Sequence, residues 1–119
     1  MKYVLIAEDE SSIRDFVVIN LRRNGYEVIE AVNGEDGYLK YKELQPDVVT
    51  MDITMPVMDG IESLSLIKHA NADAKVVMIT AAGQKEKMVD ALKRGADEFI
   101  TKPFDEAEVI ATLKKLTEK

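Results

Sequence analysis

Five short aliphatic runs alternate along this chain with longer stretches of helical periodicity, and that alternation limits the folds open to it. The runs are YVLIA (3–7), EVIEA (27–31), DVVTMD (47–52), KVVMIT (75–80) and EFIT (98–101). Each is strand-length and rich in β-branched or aliphatic residues. EVIEA alternates apolar with acidic residues, so it is expected at a less buried edge of a sheet. Between the runs, apolar residues return every three or four positions. Ile13, Phe16, Val17 and Leu21 form the face of a first helix, and Ile61, Leu64 and Ile67 that of a third. Met88, Ala91 and Leu92 give a thin stripe in a fourth, and Val109, Ile110, Leu113 and Leu116 line a fifth. The second helix runs from Asn33-Gly34 to about Leu44 and is closed by Pro46. Ser12 with Asp15, and Asp105 with Glu108, read as capping boxes of the first and last helices. Asn24-Gly25 and Arg94-Gly95 supply stops. A βα unit repeated five times predicts an α/β fold: a doubly wound, five-stranded parallel sheet with helices on both faces.

At 119 residues the chain is expected to form one domain over 1–119. With 46% hydrophobic and 32% charged residues it should be globular and soluble. No apolar run is long enough to span a bilayer, and Met1-Lys2 lead directly into a strand without a signal-peptide core. Cysteine is absent, which excludes disulfides and thiolate metal sites and fits a cytoplasmic location. The net charge of −6 argues against this chain itself gripping a nucleic-acid backbone.

The chemistry gathers at the strand ends. A buried carboxylate costs several kcal/mol, on the order of 3–5, unless it is paired or bound to a metal. Yet the third run, apolar through Met51, ends on Asp52. The first run leads into Glu8-Asp9-Glu10, the fourth ends at Thr80 and the fifth at Thr101-Lys102. In a parallel sheet these ends meet at one edge. Taken singly, each has an ordinary reading: acids as turn caps, Thr80 as a strand residue, Lys102 as a surface charge. Glu10 keeps that reading, as a solvated neighbour. Together they make an oxygen-rich cluster suited to Mg²⁺, with a cation and a hydroxyl for an incoming anion and a carboxylate able to act as nucleophile. His69 and Lys85-Glu86-Lys87 read as solvated surface, and Met51, Met55 and Met58 as strand and loop packing.

In its order and spacing this set resembles the receiver domains of bacterial response regulators, along the full length. The resemblance is carried by LIAEDE (5–10), VVTMDITMPVMDG (48–60), MITAAG (78–83) and GADEFITKPF (95–104). It implies a flavodoxin-like sheet of order 2-1-3-4-5 and a phosphorylation-dependent switch in two-component signalling. Asp52 would accept the phosphoryl group from a histidine kinase or histidine phosphotransfer protein. Asp9 would bind Mg²⁺ directly, Glu8 mostly through water, and Asp52 and the Thr54 carbonyl would complete the set. Thr80 and Lys102 would assist the reaction, with Thr80 and Phe99 as switch residues and a cis bond at Lys102-Pro103. Residues flanking the site, Thr54 and Ala82, tune dephosphorylation in this family. Signal would leave through the fourth helix, fifth strand and fifth helix toward a protein target, from a cytoplasmic and monomeric chain with no nucleic-acid or membrane contact of its own.

Three other readings fit part of the pattern. A hydrolase of the haloacid-dehalogenase type would use Asp52 as nucleophile, but needs a second Asp where Thr54 stands. A mononucleotide or flavin module needs a phosphate-cradling loop where Glu8-Asp9-Glu10 stand. A receiver excised from a DNA-binding regulator fits NLRRNGYEV, while ATLKKLTEK lacks the arginines of that subfamily's last helix; a stand-alone receiver is the expectation.

Overall fold

The computed structural model describes residues 2–118; Met1 and Lys119, the outermost positions of the 1–119 domain, lie outside the described residues. The strands are β1 (Tyr3–Ala7), β2 (Glu27–Ala31), β3 (Val48–Asp52), β4 (Val76–Thr80) and β5 (Glu98–Thr101). They alternate with α1 (Ser11–Arg23), α2 (Gly34–Leu44), α3 (Gly60–Ala70), α4 (Lys85–Lys93) and α5 (Glu106–Thr117). All pairings are parallel, in the order β2-β1-β3-β4-β5, as the resemblance implied. β3 and β4 are buried throughout because each is covered on both faces, which is why they read as continuous apolar runs. β2 is only partly buried at its edge, matching its alternation.

Two cores flank the sheet. Tyr41, Leu64, Ile67 and Ala91 bring α2, α3 and α4 onto one face, against Val49, Met51 and Met78. Val17, Leu21, Val109 and Leu113 bring α1 and α5 onto the other, against Val4, Val48, Val77 and Ile100. Since α1 follows β1 to one face and α3 follows β3 to the opposite face, a crevice opens between the carboxyl ends of these neighbouring strands.

The helix ends partly follow the expectations. Asn33, Asp59 and Asp105 each accept from the backbone N–H three residues on, Asp36, Glu62 and Glu108 respectively. Ser12 does not cap α1: the helix begins at Ser11, Glu10 holds the cap position without a side-chain cap bond, and the Ser12 hydroxyl donates to Glu10 Oε1. Phe16 is not a core residue either. The buried stripe of α1 runs through Val17, Val18, Asn20 and Leu21, leaving Phe16 at its margin, 45% exposed, with its ring 6.3 Å from that of Phe104. In α4 only Ala91 is buried and Leu92 faces solvent, so its stripe is thinner than the sequence suggests.

Two glycines serve close approach rather than turning. A Cβ on Gly60 would lie 2.0 Å from the Asp52 carbonyl oxygen, and one on Gly34 would lie 2.3 Å from that of Met58. Gly34 is not among the positive-φ glycines, and what it supplies is space for the β3–α3 loop.

Candidate functional site

β1 and β3 place three carboxylates together. Glu8, Asp9 and Asp52 each offer an oxygen within 4.8 Å of the others. Glu8 and Asp52 are buried, while Asp9 is exposed at the mouth. From β5, Lys102 reaches past β4: its Nζ donates to Asp52 Oδ2 at 3.0 Å and lies 3.5 Å from Glu8 Oε1. The Lys102-Pro103 bond is cis.

Two acids and one base share this enclosure, and the charges do not balance. Burial pushes the Glu8 carboxyl up to about 7, helped by the hydrogen bond and negative charge of Asp52; Lys102 only partly offsets this. Lys102 feels the converse. Burial works against its ammonium, but the hydrogen bond and charge of Asp52, with those of Glu8, outweigh burial and raise its pKa. A divalent cation among the three oxygens would relieve the repulsion, and an all-oxygen set suits a hard ion.

Thr80 ends β4, fully buried, with no hydrogen-bond partner for its Oγ1 among the described residues. An unpaired buried hydroxyl costs about 1–3 kcal/mol, so the resting fold keeps here a donor that the rest of the molecule does not use. Phe99 is half-buried on β5, paired in register with Met78 and packed on the α2–α3–α4 core; it therefore shares a sheet face with Thr80. Thr54, Ala81 and Ala82 are exposed on the rim loops. An open groove of about 540 Å³ beside the site is lined by Ile13, Phe16, Lys102 and Phe104 among others. Glu10 and His69 are exposed, as expected of solvated residues.

Three contributors escaped the sequence reading. Arg14 donates from Nη1 to the Glu8 carbonyl at 2.7 Å and lies 3.4 Å from Glu30, so it ties the end of β1 to β2. Its position one turn into α1 carried no periodic signal. Gln84 bonds both rim loops, which a loop glutamine does not announce. Val57, in the β3–α3 loop, has φ 68 and is 76% exposed, a left-handed conformation that a β-branched side chain resists.

The family model for the response regulator receiver domain matches residues 4–114. The chain is 45% identical over 113 residues to the chemotaxis protein CheY of Bacillus subtilis (strain 168), covering 94% of each chain. It is 37% identical over 118 residues to the DNA-binding dual master transcriptional regulator RpaA of Synechocystis sp., covering 98% of this chain and 49% of that one. The solved structure of Vibrio cholerae chemotaxis protein CheY4 matches with a TM-score of 0.91 at 30% identity, over 98% of both chains. These similarities favour a signalling switch over the hydrolase and nucleotide-module readings of the same acids, and a signalling domain over a classical enzyme. The chain belongs to the response regulator receiver domain family of two-component signalling.

Proposed function

We propose that Asp52 is the phosphoacceptor and that this chain catalyses its own phosphorylation from a phosphohistidine donor. The carrying observation is the single ammonium of Lys102 in contact with Asp52 at 3.0 Å and Glu8 at 3.5 Å, beside the unpartnered hydroxyl of Thr80. An Asp52 carboxylate oxygen attacks phosphorus, the phosphorus–nitrogen bond of the donor breaks, and the imidazole nitrogen takes the electron pair. Lys102 holds the carboxylate in place, and its positive charge then faces the phosphoryl oxygens. Asp9, Asp52 and the Thr54 carbonyl would hold Mg²⁺, with Glu8 acting mostly through water; the ion would supply charge neutralisation at the phosphoryl oxygens.

Thr80 gains a charge-assisted bond by moving toward the new phosphoryl group. Its movement leaves room on the face it shares with Phe99, whose ring has no polar atom to strand on turning inward. The change is passed to a protein target through α4, β5 and α5. The apolar groove lined by Phe16 and Phe104, bordered by Lys102, offers a phosphohistidine carrier an approach to the site. Operation as a cytoplasmic monomer in one 1–119 domain belongs to the same reading; no described helix is long and apolar enough to cross a membrane.

Incubation with Mg²⁺ and acetyl phosphate tests the assignment. One phosphoryl group per chain is expected in the wild type and none in Asp52→Asn; full labelling of that variant would overturn it. Thr80→Ala should accept the phosphoryl group but lose the amide shift changes across Lys85–Lys102. Mg²⁺ affinity should fall further in Asp9→Asn than in Glu8→Gln, and equal losses would show that the inner ligand is misassigned.

A further inference from the structure

Gln84 lies outside the acidic cluster, yet its side chain joins the two loops that carry the site's edges. It occupies the position before α4 but makes no side-chain cap bond to that helix. Its Oε1 accepts from the Ala81 N–H at 2.7 Å, and its Nε2 donates to Thr54 Oγ1 at 2.7 Å. Its own N–H donates to the Ala81 carbonyl at 3.3 Å, closing a turn in which Gly83 takes φ +88. Ala81 is peptide-bonded to Thr80, and Thr54 stands two residues beyond Asp52. β3 and β4 are direct neighbours, with Asp52 opposite Ile79. One carboxamide therefore spans the ends of the two central strands, and it belongs to the residue from which α4 starts.

α4 has little else to hold its first turn. It lacks a side-chain cap bond, and Ala91, near its far end, is its one buried residue. A net hydrogen bond shifts an equilibrium by roughly five-fold, so two of them matter for an element anchored this lightly.

We propose that Gln84 is a positioning residue that couples Asp52 to α4. In the resting state its carboxamide pins the first turn of α4 to Ala81 and Thr54. When Thr80 moves toward a phosphoryl group it carries Ala81 with it, the Ala81–Gln84 bond breaks, and the first turn of α4 is released. The second half of this proposal rests on the reading of Asp52 and Thr80; the first half does not. Glutamine suits the place because the bridge needs an acceptor for Ala81 and a donor for Thr54 on one short stem.

Amide hydrogen exchange on the full chain separates the two halves. Without phosphate, Gln84→Ala should speed exchange in residues 85–89 by roughly five- to twenty-fold, one or two lost bonds, while α3 and α5 stay as in the wild type. Gln84→Glu keeps the acceptor and should restore protection at Ala81, which a merely space-filling role would not require. Equal acceleration in α3, α4 and α5, or none in α4, overturns the resting-state bridge. After acetyl phosphate treatment, wild-type α4 should move toward the exchange rates of resting Gln84→Ala by roughly five-fold, the one bond released, and the variant should gain little more. An equal further gain in the variant overturns the coupling role. Failure of the wild type to take label at Asp52 would overturn the phosphoacceptor reading, while the phosphate-free arm still decides the bridge.

Discussion

The interior of the two central strands and the rim where they end follow opposite rules. Inside, Val48, Val49, Met51, Val76, Val77 and Met78 are apolar, wholly buried and laddered to their neighbours. A residue or two further on, Asp52 crowds Glu8 and Thr80 buries a hydroxyl without a partner, and in the loop after β3 Val57 takes a left-handed backbone. In the interior, propensity, pattern and packing agree. At the rim each is overruled, by like charges brought together, a buried donor left unpaired and a backbone that a β-branched residue resists.

The contrast is broken or sharpened most strongly by truncation. Leu64→Ala in α3 should lower unfolding free energy by about 2–5 kcal/mol, because the side chain is fully buried. Leu92→Ala in α4, where the side chain is 52% exposed, should change it by less than about 0.5 kcal/mol. Urea titrations of both variants measure this, and similar losses would show that α4 is packed as firmly as α3.

Next in size is pH. The folded value of Glu8, about 7, stands above its ordinary 4.5, so between these values the folded chain holds more protons than the unfolded one. The stability this contributes is fully present below about 4.5 and is lost as pH rises through about 7. In chelator-treated protein the loss should be on the order of 2 kcal/mol. It should shrink in Asp52→Asn, which removes one source of the upward shift. An unchanged pH slope in that variant would break the link between the two acids.

Smaller, and opposite in sign on the two sides of the contrast, are two hydroxyl deletions. Ser63 in the interior donates to the Gly34 carbonyl at 2.7 Å, so Ser63→Ala should cost about 1 kcal/mol. Thr80→Val should gain about 1 kcal/mol, because it replaces an unpartnered buried hydroxyl with a methyl of similar size. Smallest is Val57→Asn, expected to gain about 0.5 kcal/mol by easing the left-handed backbone. Denaturant midpoints register all three.

The same division decides what could be read from the sequence. The strands were legible because a run buried on both sides has to be largely apolar, and the middles of DVVTMD and KVVMIT are. The acids, Thr80 and Lys102 were legible because parallel strands deliver their ends to one edge, so position along the chain becomes position in space. Phe16 and Leu92 misled because helical spacing marks a face without saying how much of it a neighbour covers. Ser12 misled because a capping residue must lie before the helix, and Glu10 holds that place. Gln84 and Arg14 were illegible for a further reason. Each reaches a backbone group through one long polar side chain, as well as a side chain far away in sequence, and backbone groups leave no trace in the identity of the residue that carries them.

The 2.0 Å that separates a Cβ built on Gly60 from the Asp52 carbonyl also bears on transplanting this site. A designer who grafted the three acids, Thr80 and Lys102 onto another parallel sheet would carry over the polar side chains of the cluster. With any side chain at the Gly60 position, the peptide unit of Asp52 would be pushed aside, and designed sites lose function when their geometry is loose by about an ångström. The Gly60 N–H also donates to the Ile53 carbonyl at 2.7 Å, so the glycine fastens the very loop it leaves room for. The smallest portable form of the site therefore includes a residue whose contribution is the side chain it lacks.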